Sequence, residues 1–374
     1  MGLESINRVN HKIRRFVCRI IGFDLIPYDR FNKVLLVLGL LFIVTGNTLA
    51  ESYYVAEAGH SSLQKWLLPD VPYPENNKPT EVRTQLGKKL YFDPRLSGDG
   101  NMSCATCHNP LFGWSDGLPL AKGFKSQILG RASPTIVNSA YNTIQMWDGR
   151  KVSLEDQAIA PMEAELEMHT DVPKLIEFLN KSKEYKSAFD RAYPGEGINT
   201  LTISKAIASF ERTIISNDSP FDRWVKGDVN AMSDKQVKGF EVFTDANKGN
   251  CTICHMPPNF TDNGFHNIGL TSFGKPEPDM GRFNQRAVKL MRGAFKTPTL
   301  RDITLTAPYF HDGSATSLVD VIEHYVKGGE VKTNLSPGIK PLNLNEQEKQ
   351  ELIAFLKALT TRPDAVILPV LPLR

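Results

Sequence analysis

The sequence carries one reactive spacing of residues twice. Two cysteines two positions apart are followed directly by a histidine in SCATCHNP, residues 103 to 110, and again in NCTICHMP, residues 250 to 257. Thiols at this spacing can add to the two vinyl groups of a haem, and the adjacent histidine can ligate its iron from one face. The motifs therefore predict two covalent c-type haems, bound by Cys104, Cys107 and His108 and by Cys251, Cys254 and His255.

Disulfides and zinc are the alternatives for these four cysteines. The chain has five cysteines, and the fifth, Cys18, lies near the N-terminus. An even number of cysteines in an exported protein normally indicates disulfides, and paired Cys-x-x-Cys motifs also bind zinc. Neither alternative explains why His108 and His255 both follow the second cysteine, so haem is the preferred interpretation.

An internal repeat divides the chain into two halves, each with one haem motif. SPTIVNSAYNTIQMWDGRKVSLED, residues 133 to 156, aligns without gaps with TPTLRDITLTAPYFHDGSATSLVD, residues 297 to 320. A weaker echo precedes each haem motif, in GKKLYFD and GFEVFTD. Similar segments in the same order are typical of a duplicated unit. We expect an N-terminal haem domain over 51–225 and a C-terminal haem domain over 226–374.

Helical patterns dominate the segments that must position these motifs. LTISKAIASFERTII repeats its apolar residues at helical spacing, SDKQ at 233–236 fits a capping box, and NEQEKQELIAFLKAL predicts an amphipathic C-terminal helix. The connection from 256 to 297 is rich in Gly, Pro and Asn and predicts loop. The sequence thus predicts an all-α protein of two cytochrome c-like domains with short helices and long loops.

The first 50 residues have the order of a secretory signal peptide. A basic segment precedes the apolar run VLLVLGLLFIVTG, and Thr48 and Ala50 occupy the small-residue positions of a cleavage site. The basic segment is long, about 33 residues, so an uncleaved anchor is the alternative. The expectation is a periplasmic protein, with membrane contact only through this segment if it is retained.

The net charge of the chain gives no support for a nucleic-acid partner. The chain has 44 Lys and Arg against 41 Asp and Glu, but the first 50 residues contain seven of the basic and three of the acidic side chains. The remainder therefore has a net charge of about −1. Nothing in this balance favours a nucleic-acid partner.

Several further segments together resemble the bacterial di-haem cytochrome c peroxidase family, including its MauG-type members. They are LGKKLYFDPRLSGDGNMSCATCHNP, WDGR, LEDQA, SFERTIISNDSPFDRW, FKTPTLRDI and TAPYFHDG, in order between about residues 79 and 360. The resemblance implies that the chain reduces hydrogen peroxide at the N-terminal haem. It also implies that the C-terminal haem passes electrons to that site.

The resemblance assigns roles around the N-terminal haem. Gln157 and Glu167 fall on the family's distal glutamine and glutamate, and Trp147 falls on its tryptophan between the haems. A carboxylate can move a proton between the two oxygens of peroxide, and an amide can orient it. An indole can support electron transfer, or it can simply pack. Without the resemblance, MEAELEMH would predict a solvated helix face for Glu167, and His169 is a rival distal group whose ordinary position is the surface.

The second iron needs a further ligand. The candidates are Met280, Met291, His266, His311, His324 and Tyr325. Family members that need reductive activation carry a methionine at the position of Tyr325, whereas MauG-type members carry a tyrosine. An oxygen ligand stabilises ferric iron relative to a thioether. We expect ligation by Tyr325, with a methionine as the alternative.

Two positions depart from the reductively activated members. Their histidine that caps the oxidised peroxidatic iron corresponds to Phe124, which has no lone pair for iron. Their calcium site uses an asparagine and two backbone carbonyls. The carbonyl positions fall on Thr306 and Pro308, but the asparagine position is Ala132. A hard cation prefers several oxygen ligands, so calcium is a weakened expectation.

The sequence therefore predicts an exported di-haem c-type peroxidase of the MauG type. Its electrons would come from a small redox protein, such as a cytochrome c or a cupredoxin, or from residues of a protein substrate. One alternative is a cytochrome c peroxidase that needs reductive activation. The other is a non-enzymatic di-haem electron carrier, in which both irons would be saturated and would not bind cyanide or peroxide.

Overall fold

Helices form nearly all of the regular structure in this computed structural model, which describes residues 54–362 and 365–373. The α-helices are α1 (Glu81–Phe92), α2 (Cys104–Cys107), α3 (Leu154–Glu163), α4 (Val172–Lys181), α5 (Lys183–Ala192), α6 (Thr200–Glu211), α7 (Pro220–Val225), α8 (Asp234–Thr244), α9 (Leu318–Lys327) and α10 (Glu346–Ala358). Two short strands, β1 (Phe265–His266) and β2 (Phe295–Lys296), pair antiparallel. The all-α prediction is confirmed.

Short 3-10 turns occupy much of the connecting chain. They are Ser61–Trp66, Glu75–Asn77, Pro94–Leu96, Pro110–Phe112, Phe124–Ser126, Ser139–Tyr141, Cys251–Ile253, Thr271–Gly274, Arg282–Asn284, Lys289–Met291 and Ile303–Leu305. The connection from 256 to 297 is mostly loop, as predicted, apart from the two strands and three of these turns. The predicted capping box also forms, because Ser233 N donates to Gln236 Oε1 and Gln236 N donates to Ser233 Oγ.

Each half contains one pair of crossing helices that needs a glycine. A Cβ atom at Gly87 on α1 would clash with the carbonyl oxygen of Ala206 on α6. A Cβ atom at Gly239 on α8 would clash in the same way with the carbonyl oxygen of Glu351 on α10. These glycines begin the echo GKKLYFD and GFEVFTD. Close approach of two helix backbones therefore explains the weaker part of the internal repeat.

Two hydrophobic cores accompany these crossings. The first contains buried residues between Leu86 and Ile214, and the second contains buried residues between Phe221 and Leu359. The N-terminal lead-in joins the second core, where the Trp66 ring lies 4.6 Å from that of Phe260. Helix α7 also packs there. The boundary at residue 225 stays a prediction, and packing assigns both the lead-in and α7 to the C-terminal core.

The repeated segments adopt the same backbone conformation. Helices α3 and α9 both begin directly after an N-cap serine whose side chain accepts from the third helical amide. Equivalent positions share a left-handed φ, namely Asn138 (56°) and Asp302 (57°), Met146 (73°) and Phe310 (69°), and Gly149 (66°) and Gly313 (61°). The structure follows the gapless sequence alignment, so residues 164 positions apart can be compared directly.

The predicted export segment, residues 1–50, lies outside the described residues. Within 54–362 and 365–373, no helix has the length and apolar character needed to cross a membrane.

Candidate haem and peroxide sites

A cavity of about 810 Å³ is lined by both cysteine–histidine motifs. The N-terminal motif starts on the short helix α2, and the C-terminal motif starts on the 3-10 turn Cys251–Ile253. In both motifs the histidine backbone N–H donates to the carbonyl of the first cysteine, His108 to Cys104 and His255 to Cys251. The tight local turn brings both thiols and the imidazole of each motif to the cavity wall.

Both histidines are oriented for metal ligation. His108 Nδ1 lies 2.9 Å from the carbonyl oxygen of Pro134, and His255 Nδ1 lies 2.8 Å from that of Phe260. A carbonyl can only accept, so Nδ1 carries the proton and Nε2 keeps its lone pair. Burial lowers the pKa of both imidazoles, that of His255 to about 4. Each histidine is therefore neutral and offers Nε2 to an iron.

The cysteines are free thiols, which disfavours the disulfide alternative. In the part of the chain that the structure describes, one group of three close potential metal ligands includes a motif cysteine, and it joins Cys254 to Asp262 and His266. Cys251 is not part of that group, so the placement of these ligand atoms does not match a site that holds zinc through both cysteines of the pair.

A buried cation completes the fit to haem. Lys296 on β2 is 7% exposed and lines the cavity. Its Nζ donates to the uncharged oxygens of Thr297 (3.1 Å) and Asn142 (3.3 Å) and forms no direct ion pair in the described residues. Burial lowers its pKa to about 8, although the Asp262 carboxylate nearby opposes that fall. A buried cation needs an anionic partner, and the propionate groups of haem are carboxylates. Free thiols, neutral histidines and this cation therefore fit two c-type haems.

The predicted distal residues lie near the N-terminal motif. Gln157 on α3 and Glu167, in the turn after it, both line the cavity. The Glu167 side chain is 31% exposed, and its Oε1 lies 3.8 Å from Nη2 of Arg150. Burial raises the pKa of Glu167, and Arg150 partly opposes that rise. The rival His169 does not line the cavity, because its ring stacks on Phe124 with centroids 4.4 Å apart.

Tyr325 on α9 lines the cavity beside the C-terminal motif. Its side chain is half-buried, and desolvation there and the neighbouring Cys254 and Cys251 raise its pKa. Of the other candidate ligands, the cavity lining includes His266 and His311. The lining does not include Met280, Met291 or His324. His266 Nε2 pairs with Asp262 at 2.7 Å, and the His311 ring stacks on Phe295.

The two halves meet through reciprocal backbone hydrogen bonds. Ala132 N donates to the carbonyl of His311 at 2.7 Å, and Lys296 N donates to the carbonyl of Trp147 at 2.8 Å. These four residues are two equivalent pairs of the repeat, so the junction has local two-fold pseudosymmetry. The Trp147 side chain adds a bond that breaks this symmetry, from Nε1 to the carbonyl of Ala132 at 2.9 Å.

An ion-pair network that sequence reasoning missed supports the junction. Arg131 donates to both carboxylate oxygens of Asp279 and to Asp148, which also pairs with Arg150. Asp279 lies in an irregular loop, where no periodic signal marks it. Lys296 was also missed, although it belongs to the quoted FKTPTLRDI segment, because a lone lysine is normally solvated.

Comparison with known proteins agrees with the di-haem interpretation. A family model described as di-haem cytochrome c peroxidase matches residues 81–230. Methylamine utilization protein MauG of Methylorubrum extorquens is 45% identical over 81% of this chain and 85% of that protein. Cytochrome c551 peroxidase of Pseudomonas aeruginosa is 34% identical over 91% of this chain and 96% of that protein. A solved MauG-like protein associated with microbial copper homeostasis is 30% identical, with a TM-score of 0.73, and the match covers 79% of this chain and 95% of that one.

These relatives are peroxidases and MauG proteins matched along most of their length, so the non-enzymatic electron carrier is the wrong alternative. The chain belongs to the di-haem cytochrome c peroxidase family, and it is a peroxide-reducing oxidoreductase with two c-type haems.

Proposed function

We propose that this peroxidase works in the MauG manner, with Tyr325 and His255 as the iron ligands of the C-terminal haem and an open N-terminal iron held by His108. The observation that carries the proposal is the position of Tyr325. Its half-buried side chain lies at the cavity wall beside Cys251 and Cys254, whereas Met280 and Met291 are outside the lining. A phenolic ligand favours the ferric state, which suits oxidising chemistry.

Glu167 is the proposed proton shuttle of the N-terminal site, and Gln157 is the proposed orienting amide. When bound, the haem supplies an iron at which the O–O bond of hydrogen peroxide is cleaved. The raised pKa of Glu167 suits a carboxyl that takes a proton from one peroxide oxygen and returns it to the other. The Gln157 amide can donate a hydrogen bond and hold the peroxide in line. Arg150 keeps the carboxylate form accessible by partly offsetting its burial.

Trp147 is proposed to carry electrons between the two sites. Its ring lies at the cavity wall, its carbonyl accepts from the C-terminal half at Lys296, and its indole N–H is bonded to Ala132. These contacts hold the indole in one orientation at the junction. A fixed aromatic ring at that position shortens the distance that an electron must cross.

The proposed electron source is a protein. It is either a small redox protein, a cytochrome c or a cupredoxin, or a protein substrate whose own residues are oxidised. We favour the second source because the relatives at 45% and 42% identity are both MauG proteins, named for methylamine utilization and not for cytochrome c oxidation. We place this reaction in the periplasm, in keeping with the order of basic, apolar and small residues in the first 50 positions.

Calcium is the weakest part of the proposal. Thr306 and Pro308 both line the cavity, as a carbonyl site would require. Ala132 has a methyl side chain, and its own carbonyl already accepts from Trp147. Calcium would therefore need other oxygen ligands. Metal analysis of the purified holoprotein before and after treatment with a chelator tests this part.

The deciding experiment mixes the fully oxidised protein with hydrogen peroxide in a stopped-flow instrument. Phe124 lies outside the cavity lining and offers no ligand atom, so the N-terminal iron should be open. We expect a high-spin ferric signal beside a low-spin one, and a rapid reaction without pre-reduction. If peroxide reacts only after an electron is supplied, the protein is a reductively activated cytochrome c peroxidase instead.

A further inference from the structure

We propose that Phe124 and His169 form a clasp that positions Glu167, and this inference rests on the proposed role of Glu167 as proton shuttle. The two rings are stacked, with centroids 4.4 Å apart and planes at 22°. Neither ring lines the cavity, so neither is placed to act directly on a substrate there. Both are positioning residues that act through the backbone on either side of Glu167.

Phe124 belongs to a closed lobe, residues 121–131, at the rim of the N-terminal site. Backbone bonds close the base of the lobe, from Ala121 N to the carbonyl of Arg131 and from Leu129 N to the carbonyl of Ala121. Its tip is exposed, and Lys125 and Ser126 there have left-handed φ angles of 53° and 61°. Such residues cost of order 1 kcal/mol each, so the lobe depends on outside contacts for its position.

The lobe lies directly against the peptide that precedes Glu167. Phe124 N donates to the carbonyl of Leu166 at 3.0 Å. A Cβ atom at Gly123 would clash with that same carbonyl oxygen and would lie 3.1 Å from Glu167 Cα. The φ of Gly123, −101°, would suit other residues, so the backbone angle does not require glycine. The close approach to Leu166 does, because any Cβ atom would clash there. The backbone on the N-terminal side of Glu167 is thereby held by the lobe.

His169 holds the other side of Glu167. The turn 164–170 is closed by bonds from Glu167 N and His169 N to the carbonyl of Ala164. His169 itself has a left-handed φ of 51°, a conformation that needs support from its surroundings. Stacking on Phe124 contributes to that support beside the close packing of Gly98 against the His169 carbonyl, and aromatic pairs contribute about 0.5–1.5 kcal/mol beyond burial. Glu167 therefore lies between two points that are both tied to Phe124.

Loss of the clasp should increase the mobility of the turn 164–170, whereas both haems should stay bound. A proton shuttle must stay within hydrogen-bond reach of its substrate, and small misplacements are costly. We expect Phe124→Ala and His169→Ala to slow the reaction with peroxide by about 10-fold, less than the loss expected from removing the carboxylate itself. Phe124→Tyr keeps the ring and should restore the rate.

The test combines amide exchange with a double-mutant cycle on the holoprotein. In resting protein, Phe124→Ala and His169→Ala should speed deuterium exchange of the amides at 167–170. Phe124→Tyr should not change this exchange, and neither should Ile128→Ala, a matched control in the same lobe with a side chain 66% exposed. In the Glu167→Gln background, Phe124→Ala should cause no further loss of rate, because it acts through the carboxylate.

Two results would overturn the clasp: unchanged exchange at 167–170 in both alanine variants, or an equal rate loss from Phe124→Ala with and without Glu167. Gly123→Ala is a second test of the clasp. Its added methyl group must push the lobe away from Leu166, which should also speed deuterium exchange of the amides at 167–170. If Glu167→Gln alone leaves the rate unchanged, the shuttle role fails, and the exchange data still decide whether the clasp exists. Mass spectrometry confirms two haems in every variant.

Discussion

At equivalent positions of the repeat, the two halves present different chemistry to one cavity. Helix α3 turns Gln157 and Pro161 toward it, and helix α9 turns Val321 and Tyr325 toward it from the corresponding positions. Proline offers no ligand atom, whereas a phenol does. The half with Gln157 and Pro161 thus presents an amide and no ligand atom at the position of Pro161. The half with Val321 and Tyr325 presents an apolar side chain and a phenol that could bind iron.

The two halves share a backbone framework, whereas the side chains that face the cavity differ between them. Crossing glycines, N-cap serines and left-handed turn positions are shared, and they place each motif against its core. The differences that matter for the chemistry include side chains at the cavity wall and the junction, where Trp147 and Ala132 correspond to His311 and Lys296. A few substitutions on a common backbone can therefore separate a peroxide site from an electron-transfer site.

The largest expected effect is loss of one haem at a time. Cys107→Ala should remove one covalent haem and abolish the reaction with peroxide, because only the N-terminal half has the open site. Cys254→Ala should also remove one covalent haem but leave a site that still binds cyanide. Intact mass and cyanide titration of the two variants measure this. If both variants lost cyanide binding equally, the proposed division of labour would be wrong.

Glu167→Gln should have the next largest effect on the reaction with peroxide. General acid–base groups typically contribute about 10²–10⁴-fold, and the amide cannot take the proton. The base must be ionised, and burial raises the pKa of Glu167. The wild-type rate should therefore fall as the pH is lowered through that raised pKa. The variant should not show this fall of the rate at low pH. Stopped-flow rates between pH 4 and 8 check both points, and an unchanged profile would remove Glu167 from the mechanism.

Tyr325→Phe tests the other half of the comparison. Without the phenol oxygen, the low-spin spectrum should change and the midpoint potential of that haem should rise, because ferric iron loses its stabilising ligand. Met280→Ala and Met291→Ala are matched controls, since neither side chain lines the cavity. A spectrum that responds to a methionine variant but not to Tyr325→Phe would support methionine ligation.

The smallest expected effect comes from Lys296, the buried cation at the cavity wall whose counterpart in the N-terminal half is Ala132. Lys296→Met should lower the midpoint potential of the haem whose carboxylate it neutralises, because a nearby positive charge favours the reduced iron. Lys296→Arg keeps the charge and should change the potential less. Spectroelectrochemical titration of both haems measures the shift. Unchanged potentials in the methionine variant would mean that Lys296 has no anionic cofactor group beside it.

Local patterns predicted much of the fold. The capping box at 233–236 and the helix around 346–358 form where the sequence indicated them, because each depends on contacts within a few residues. The repeat predicted a duplicated unit, and in the structure its two copies have left-handed residues at the same spacing. The packing of the lead-in and α7 on the C-terminal core left no periodic signal, because it depends on contacts such as Trp66 with Phe260, far apart in sequence.

The sequence by itself determined that there are two haem motifs, that the halves are duplicated and that the elements are helical. Each conclusion depends on residues close together in the chain, where spacing alone controls geometry. Only the tertiary structure decided which distant side chains meet. It places Tyr325 and Cys251 at the same cavity wall, and it buries the Lys296 cation there. It stacks Phe124 on His169, away from the cavity. These positions result from the packing of loops and helices tens of residues apart, which no local pattern encodes.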